Sequence, residues 1–597
     1  MRLQDIGPQI LNAAHLPIVR AELDRLQIHQ VLHENCPPHE LARIEDADAA
    51  VAILLRALAG RVALYKIERW LEGLDLHILF GPGIEANAFN DTRLAEALDH
   101  IDDIGTDSLL SQIVSRYLQR DDAPTEYSIH QDTTSFVLQG LFDTIEEPTP
   151  RHGFSKDHRP DLKQLLFGLS LHGQDGVPLV ASIKAGNTSE QAINRDHLAQ
   201  LQALLPPEDE VTLVADCKLV DAITLGRILG AGLHFVSLLP NTFNQRPALI
   251  DAAWQARPDL ADWPILASKP GRRKADPKRH YRGFSFTRPF SVVLDSGRGD
   301  QEPAASSEDL RFLVLHSDAL AAKFERSLPG RLEREVKALV SEGKRLNRSG
   351  FACEADARQA AERAASKATL HDVSIELTVE ERRVKRSRRG RPPAGETPPT
   401  KSVWTVSLHT QPSAERIEQA RRRGSGFVLL TDWLEASWSD KRVLSEYRHQ
   451  SVIEGSSGFR WLKGPGLVSP IFLKKPGRIR ALGFLLVLAL MVRNAVQFRL
   501  RGELEARDQL LEHPFTKQSI PNPTTEMALE HFSDIQSVLL WGENGEVHRV
   551  PPCLSEPAKQ ILSLLGFSES IFVSPPKWRG LSWERKKEPL HSATPET

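Results

Sequence analysis

Between residues 125 and 240 the chain alternates in a pattern that few folds accommodate. Three β-rich segments come first, SIHQDTTSFVLQG, LKQLLFGLSLHG and VPLVASIKAG, separated by Gly, Asp and Pro. They read as consecutive antiparallel-type strands. Thr188 then opens a helix with Gln191 three residues on as its capping partner, and Ile193, Leu198, Leu201 and Leu205 supply the apolar face. VTLVAD reads as a buried strand ending at Asp216, ITLGRILGAG as a helix closed by glycine, and LHFVSLLP as the next strand. The expected class is α/β.

Two acids stand out against this background. Asp132 lies inside a strand whose neighbours are Ile129, Phe136 and Val137. A carboxylate there is costly unless it is paired, hydrogen-bonded or metal-bound. Asp216 follows Val211, Leu213 and Val214 at the carboxyl end of its strand, where open α/β sheets usually carry ligand groups. An acid at a strand end is more often a cap or turn residue, so neither is decisive alone. A third acid, Glu454, sits in YRHQSVIEGSSGFRWLK, residues 447–463. On a continuous helix Tyr447 and Gln450 share its face, so the carboxylate could reach metal while a phenol and an amide touch DNA phosphate. Three carboxylates from separate elements are a recurrent way to hold two divalent ions about 3.5–4 Å apart beside a phosphodiester. Hard ions, Mg²⁺ or Mn²⁺, suit such donors.

These segments resemble bacterial insertion-sequence transposases of the DDE class, in the group marked by a Tyr-x2-Arg-x3-Glu-x6-Lys signature. The resemblance rests on HQDTTSF, the GFSKDHRPDLKQLLFGLSLHGQDGVPL run, AGNTSE, VAD at 216, YRHQSVIEG…GFRWLK, and FLKKPGRIRALGFLLVLALMVRNAVQFRLR, and it extends over nearly the whole chain. It implies a ribonuclease-H-like catalytic core interrupted by a large mixed, mainly β insertion, with helical N-terminal and C-terminal regions. By carry-over Asp132, Asp216 and Glu454 are the catalytic and metal-binding residues, with two Mg²⁺ or Mn²⁺ ions, and Tyr447 and Lys463 the signature Tyr and Lys. Two departures stand out. Gln450 takes the place of the signature Arg, and Lys463 follows Glu454 by nine residues rather than seven. The poor helix propensity of Gly455-Ser456-Ser457-Gly458, about 1 kcal/mol per Gly against Ala, predicts a local break that returns Lys463 to the site.

The 597 residues suggest three or four domains. The expected boundaries are a helical N-terminal domain (1–120), the first part of the core (121–240), the insertion (241–440), the second part of the core (441–510) and a small helical region with a disordered tail (511–597). The N-terminal domain is a plain bundle or a reader of DNA ends. Ala481–Val492, the most apolar run, is shorter than the roughly 20 residues a bilayer needs, so a buried helix is expected and no membrane role. Four scattered cysteines fit a reducing cytoplasm, with the protein nucleoid-associated when acting.

A net charge of −3 does not announce a nucleic-acid binder, so local clusters carry that reading. Arg272, Arg273, Lys274, Lys278, Arg279 and Arg282 form a loop-like basic stretch. Arg389-Gly390-Arg391-Pro392 is similar to the core of an AT-hook, which lies in a narrow minor groove. Lys474, Lys475, Arg478 and Arg480 open the long apolar helix, either as phosphate contacts or as a solvated helix end. The expected DNA contacts are thus Tyr447, Gln450, Lys463, Arg389, Arg391, Lys474 and Lys475. The expected activity is cleavage at the ends of a mobile element and transfer of the 3′-hydroxyl into target DNA. A homodimer on terminal inverted repeats is implied by the resemblance. Two alternatives use the same features: a catalytically silent DNA-binding descendant, and a metal-dependent nuclease without strand transfer.

Overall fold

The computed structural model describes residues 8–37, 42–60, 64–124, 126–138, 148–153, 161–205, 210–270, 277–294, 304–383, 400–455, 457–464, 473, 475–542 and 546–576. In chain order the elements are β1 (Gln9–Asn12), α1 (Leu16–Arg25), α2 (Ile28–Asn35), α3 (Asp46–Leu58), α4 (Ile67–Leu71), α5 (Leu76–Phe80), α6 (Asp91–Ile104) and α7 (Thr106–Leu118). Next come β2 (Tyr127–Leu138), β3 (Lys163–His172), β4 (Pro178–Ala185), α8 (Glu190–Leu204), β5 (Val211–Ala215), α9 (Ala222–Gly230) and β6 (His234–Leu238). Then follow α10 (Arg246–Ala256), β7 (Ile265–Lys269), β8 (Arg279–Leu294), β9 (Ala304–Ser317), α11 (Asp318–Leu346), α12 (Glu354–Ala365), β10 (His371–Arg383), β11 (Thr400–Pro412), α13 (Ala414–Ser425) and β12 (Gly426–Thr431). The last group is α14 (Asp440–His449), α15 (Ser451–Glu454), α16 (Phe459–Leu462), α17 (Pro476–Ala506), β13 (Leu511–Glu512), β14 (Ser519–Ile520), α18 (Thr525–Glu530), β15 (Gln536–Trp541), β16 (Val547–Val550) and α19 (Glu556–Leu564).

The chain divides into two compact units, one of residues 1–235, 292–306 and 446–597, the other of 236–291 and 307–445. In the first unit the strands run in the order β4-β3-β2-β5. The first three are antiparallel neighbours, and β5 returns through α8 to lie parallel to β2. Alternation gives β2 two different faces. Gln131 and Thr133 face α8, donating to Asn194 Oδ1 at 3.2 Å and Glu190 Oε1 at 2.8 Å. Ser128, His130, Asp132, Thr134 and Phe136 share the other face.

The cap of α8 is Ser189, one residue later than expected, and its hydroxyl accepts from the Ala192 amide at 3.2 Å. Helix α8 crosses β3 so closely that a Cβ on Gly168 would lie 2.6 Å from Ile193 Cγ2 and 2.9 Å from His197 Nε2. His197 is fully buried, held by Ser170 Oγ at 2.9 Å and Ser182 Oγ at 2.8 Å. Burial lowers its pKa to about 4, against 6.5 for an ordinary histidine. As pH falls the unfolded chain therefore takes up this proton first. Stability should hold above about pH 6.5, fall by on the order of 3 kcal/mol down to about pH 4, and lose nothing further from this group below that. Urea denaturation at pH 7 and pH 4.5 checks this, and His197→Gln should flatten the difference.

The opposite face of the sheet is covered by α17. Leu485, Val487, Leu488, Leu490 and Met491 are fully buried, each such side chain worth about 2 kcal/mol. Gly483 sets the closest approach: a Cβ there would meet Ile183 Cδ1 at 2.2 Å. By length and composition α17 could cross a membrane, but 94% of its most apolar window is buried inside the protein. It packs on both α3 and α6, so the N-terminal helices and the second part of the core share one body. The C-terminal region is not simply helical. Among the described residues it contributes four short strands, and β15 pairs antiparallel with β1.

The second unit is mixed rather than mainly β. Its strands run β6-β12-β9-β8-β7, with α10, α11, α12 and α13 around them and a separate β10–β11 hairpin. The hairpin is backed by Ala357 and Ala361 of α12, which pack on Val406. Buried Arg311 donates to the carbonyls of Trp433 at 3.0 Å and Trp438 at 2.7 Å and to Asp440 Oδ1 at 2.7 Å. Arg279 and Arg282 lie in strand β8, not in a loop, and Arg282 pairs with Asp318 at 3.0 Å. Arg272, Arg273, Lys274, Arg389, Arg391, Lys474, most of the basic linker and the expected disordered tail lie outside the described residues.

Candidate active site

The parallel pairing of β2 with β5 ends at Gln131 and Ala215, so Asp132 and Asp216 are the next residue along each of two neighbouring strands. Local hydrogen bonds orient both. Asp132 Oδ1 accepts from the Thr133 amide at 2.7 Å, and Asp216 Oδ1 accepts from the Lys218 amide at 2.9 Å, capping a short 3-10 turn. Asp216 is thus a cap residue as well as a strand-end carboxylate. Both acids are half-buried, whereas Glu454 is exposed at the end of α15.

The helix expected to run unbroken through Tyr447, Gln450 and Glu454 is divided. Helix α14 stops at His449, Gln450 forms a turn, and α15 is a separate four-residue helix. Gln450 is 7% exposed and therefore packed inside, which corrects its expected place on a DNA-facing surface. Tyr447 is half-buried. Burial, followed by the charges of Asp216, Cys217, Glu454 and Asp132, pushes its phenol well above the usual range. It stays protonated at any ordinary pH. All three acidic side chains thus lie within electrostatic reach of one phenol. Among the described residues, however, they do not close to a group whose oxygens all lie within 4.8 Å of one another.

A second break falls at Gly455–Gly458, where a helical stop was expected. Gly455 is extended, and α16 restarts at Phe459 with Lys463 at its C-cap. The Lys463 ammonium lies 5.8 Å from the centre of the Phe136 ring, on the strand face that carries Asp132. Asn494, fully buried on α17, ties the break down by donating to the Ser457 carbonyl at 2.8 Å and the Gly176 carbonyl at 2.7 Å. Sequence reasoning missed Asn494, and a polar residue in the middle of an apolar helix was the available signal.

The described cations at the start of α17 pair with acids of α6. Lys475 pairs with Asp99 of α6 at 3.3 Å, Arg478 makes a bidentate pair with the same carboxylate at 2.6 and 2.7 Å, and Arg480 holds Asp102 at 2.5 and 2.7 Å. These pairs join α17 to α6, and Lys475, which shares Asp99 with Arg478, stays largely exposed. Deeper on the same face of β2, Glu446 of α14 accepts from Ser128 Oγ and lies 3.2 Å from His130 Nε2. Burial raises the Glu446 carboxyl, but the hydrogen bonds from His130 and Ser128 outweigh it and hold the group below the ordinary glutamate value.

Residues 8–115 match a family described as a domain of unknown function, DUF4277. A search of curated proteins returns no significant match. Among solved structures the chain is similar to the piggyBac transposase in its synaptic complex with hairpin DNA, at 9% identity and a TM-score of 0.26. That similarity covers 46% of this chain and 60% of the piggyBac chain.

Proposed function

We propose that the protein is a metal-dependent DNA transposase whose site is Asp132, Asp216 and Glu454, on a ribonuclease-H-like core. The observation that carries this reading is that Asp132 and Asp216 directly follow the last paired residues of neighbouring parallel strands, with Glu454 acting on the same Tyr447 phenol as both. The donor set fits a hard divalent cation, being all carboxylate. Cys217 adds no thiolate, because burial and the Asp216 charge push its thiol up. Glu454, exposed on a four-residue helix, has the rotamer freedom to close on the Asp pair. Two Mg²⁺ or Mn²⁺ ions bound there would activate the attacking water or 3′-hydroxyl and offset charge on the leaving oxygen.

The chain's own residues would do the rest. Backbone amides fix the two Asp side chains in place before substrate arrives. Tyr447, held neutral, can donate a hydrogen bond to a phosphate oxygen without adding charge. Lys463 brings a cation to the Phe136 end of the same strand face. With Gln450 packed inside, phosphate handling falls to Tyr447 and Lys463. The substrates would be the terminal repeats of a mobile element and target DNA, bound as a homodimer.

Supplying pre-cleaved DNA ends and Mg²⁺ to the full chain tests the reading. Strand-transfer product is expected. Cleavage of intact ends without joining would mean a nuclease, and binding without either reaction a silent descendant; each would overturn the proposal.

A further inference from the structure

Ser128, His130 and Asp132 alternate along one face of β2, and only the last belongs to the proposed catalytic set. Opposite the first two, Glu446 and His449 are three residues apart on α14 and so share one helix face. The ligand atoms of His130, Glu446 and His449 all lie within 4.8 Å of one another. We propose that these three residues form a separate site for a late first-row divalent ion of the zinc class, clipping α14 to β2.

The spacing suits such an ion. Zinc bonds of about 2.0–2.1 Å at tetrahedral angles separate neighbouring donors by roughly 3.3 Å. His130 Nε2 and Glu446 Oε1 are 3.2 Å apart. The His130 and His449 rings meet edge-on with centroids 5.4 Å apart, so both can turn a nitrogen toward a common point. His130 is fully buried and its Nδ1 has no hydrogen-bond partner, which leaves Nε2 as its polar outlet. Ser128 donates to the same Glu446 oxygen, Oε1, and its Oγ lies 3.4 Å from His130 Nε2, so the hydroxyl holds both ligand atoms in place and would turn aside as the ion enters. His449 is exposed, so the fourth position opens to water.

Two imidazoles and one carboxylate prefer zinc, cobalt or nickel over magnesium, whereas the all-carboxylate set two residues away prefers the reverse. The chain would thus sort two classes of ion along one strand. Tyr447 lies between Glu446 and His449 in sequence, so clipping α14 would also fix the turn that carries the phenol.

Calorimetric titration of the full chain with Zn²⁺ alone, in saturating Mg²⁺, tests this. One tight Zn²⁺ per chain is expected, with a rise in the thermal midpoint and, for Co²⁺, a tetrahedral absorption spectrum. His449→Ala removes an exposed ligand without emptying the core and should weaken binding by about 100-fold or more. His449→Asp supplies a carboxylate in its place and should recover most of the affinity. Asp216→Asn should bind Zn²⁺ as the parent does. The proposal is overturned if Mg²⁺ abolishes Zn²⁺ binding, if His449→Ala binds as tightly as the parent, or if Asp216→Asn loses the ion.

Discussion

Asp132→Asn, Asp216→Asn and Glu454→Gln are each expected to lower strand transfer by about 10³-fold or more, with little change in stability. Removing one anionic donor from a two-ion site costs several kcal/mol of transition-state stabilisation, and roughly 4 kcal/mol corresponds to that factor. The amide replacements keep the local structure. The amide oxygen of Asp132→Asn can still accept from the Thr133 amide, and that of Asp216→Asn can still cap the turn at Lys218, since asparagine caps about as well as aspartate. Glu454 is exposed, so its neutralisation disturbs no packing. Activity on pre-cleaved ends and thermal midpoints, measured side by side, separate the two effects. Parent-like transfer by any of the three variants would remove that residue from the site. Glu454→Gln is the sharpest of them, because it tests the acid that comes from a helix outside the sheet.

The positions of Asp132 and Asp216 were legible because strand alternation and a strand-end acid are local patterns, and the order of strands follows from their sequence of connections. That the two follow the same paired step of neighbouring strands is not local. It depends on how far β5 slides along β2, which the sequence does not state. The helix around Glu454 was misread for a similar reason. Spacing placed Gln450 on an outer face only if the helix ran unbroken, and the turn at Gln450 buries it instead. At the start of α17 the basic run is plain in sequence, but its partners Asp99 and Asp102 come from nearly 400 residues earlier. No pattern within the segment distinguishes a charge already paired from one waiting for phosphate. His130, Glu446 and His449 illustrate the converse. The i, i+3 pair on α14 was visible, but nothing linked it to β2 until the fold brought them together.

Gly458→Ala should reduce strand transfer by on the order of 10²-fold while leaving the three carboxylates in place. The glycine sits at φ −146°, ψ −127°, immediately before α16. A Cβ there would lie 2.0 Å from the Ile453 carbonyl oxygen and 2.6 Å from its carbon, so backbone rather than a flexible side chain has to give way. Ile453 is fully buried and cannot yield, which leaves α16 to shift, carrying Lys463 off the Phe136 ring. A displacement of about 1 Å is enough for a loss of that size. Asn494 holds the neighbouring Ser457 carbonyl, so the shift also strains a buried hydrogen bond. Gly502→Ala is the matched control. It lies within α17 with nothing within 4 Å of the added carbon, and should stabilise the helix by about 1 kcal/mol without touching activity. If Gly458→Ala transfers strands like the parent while remaining folded, the break does not position Lys463, and the two-residue displacement of that lysine from the signature spacing has no compensating device in this fold.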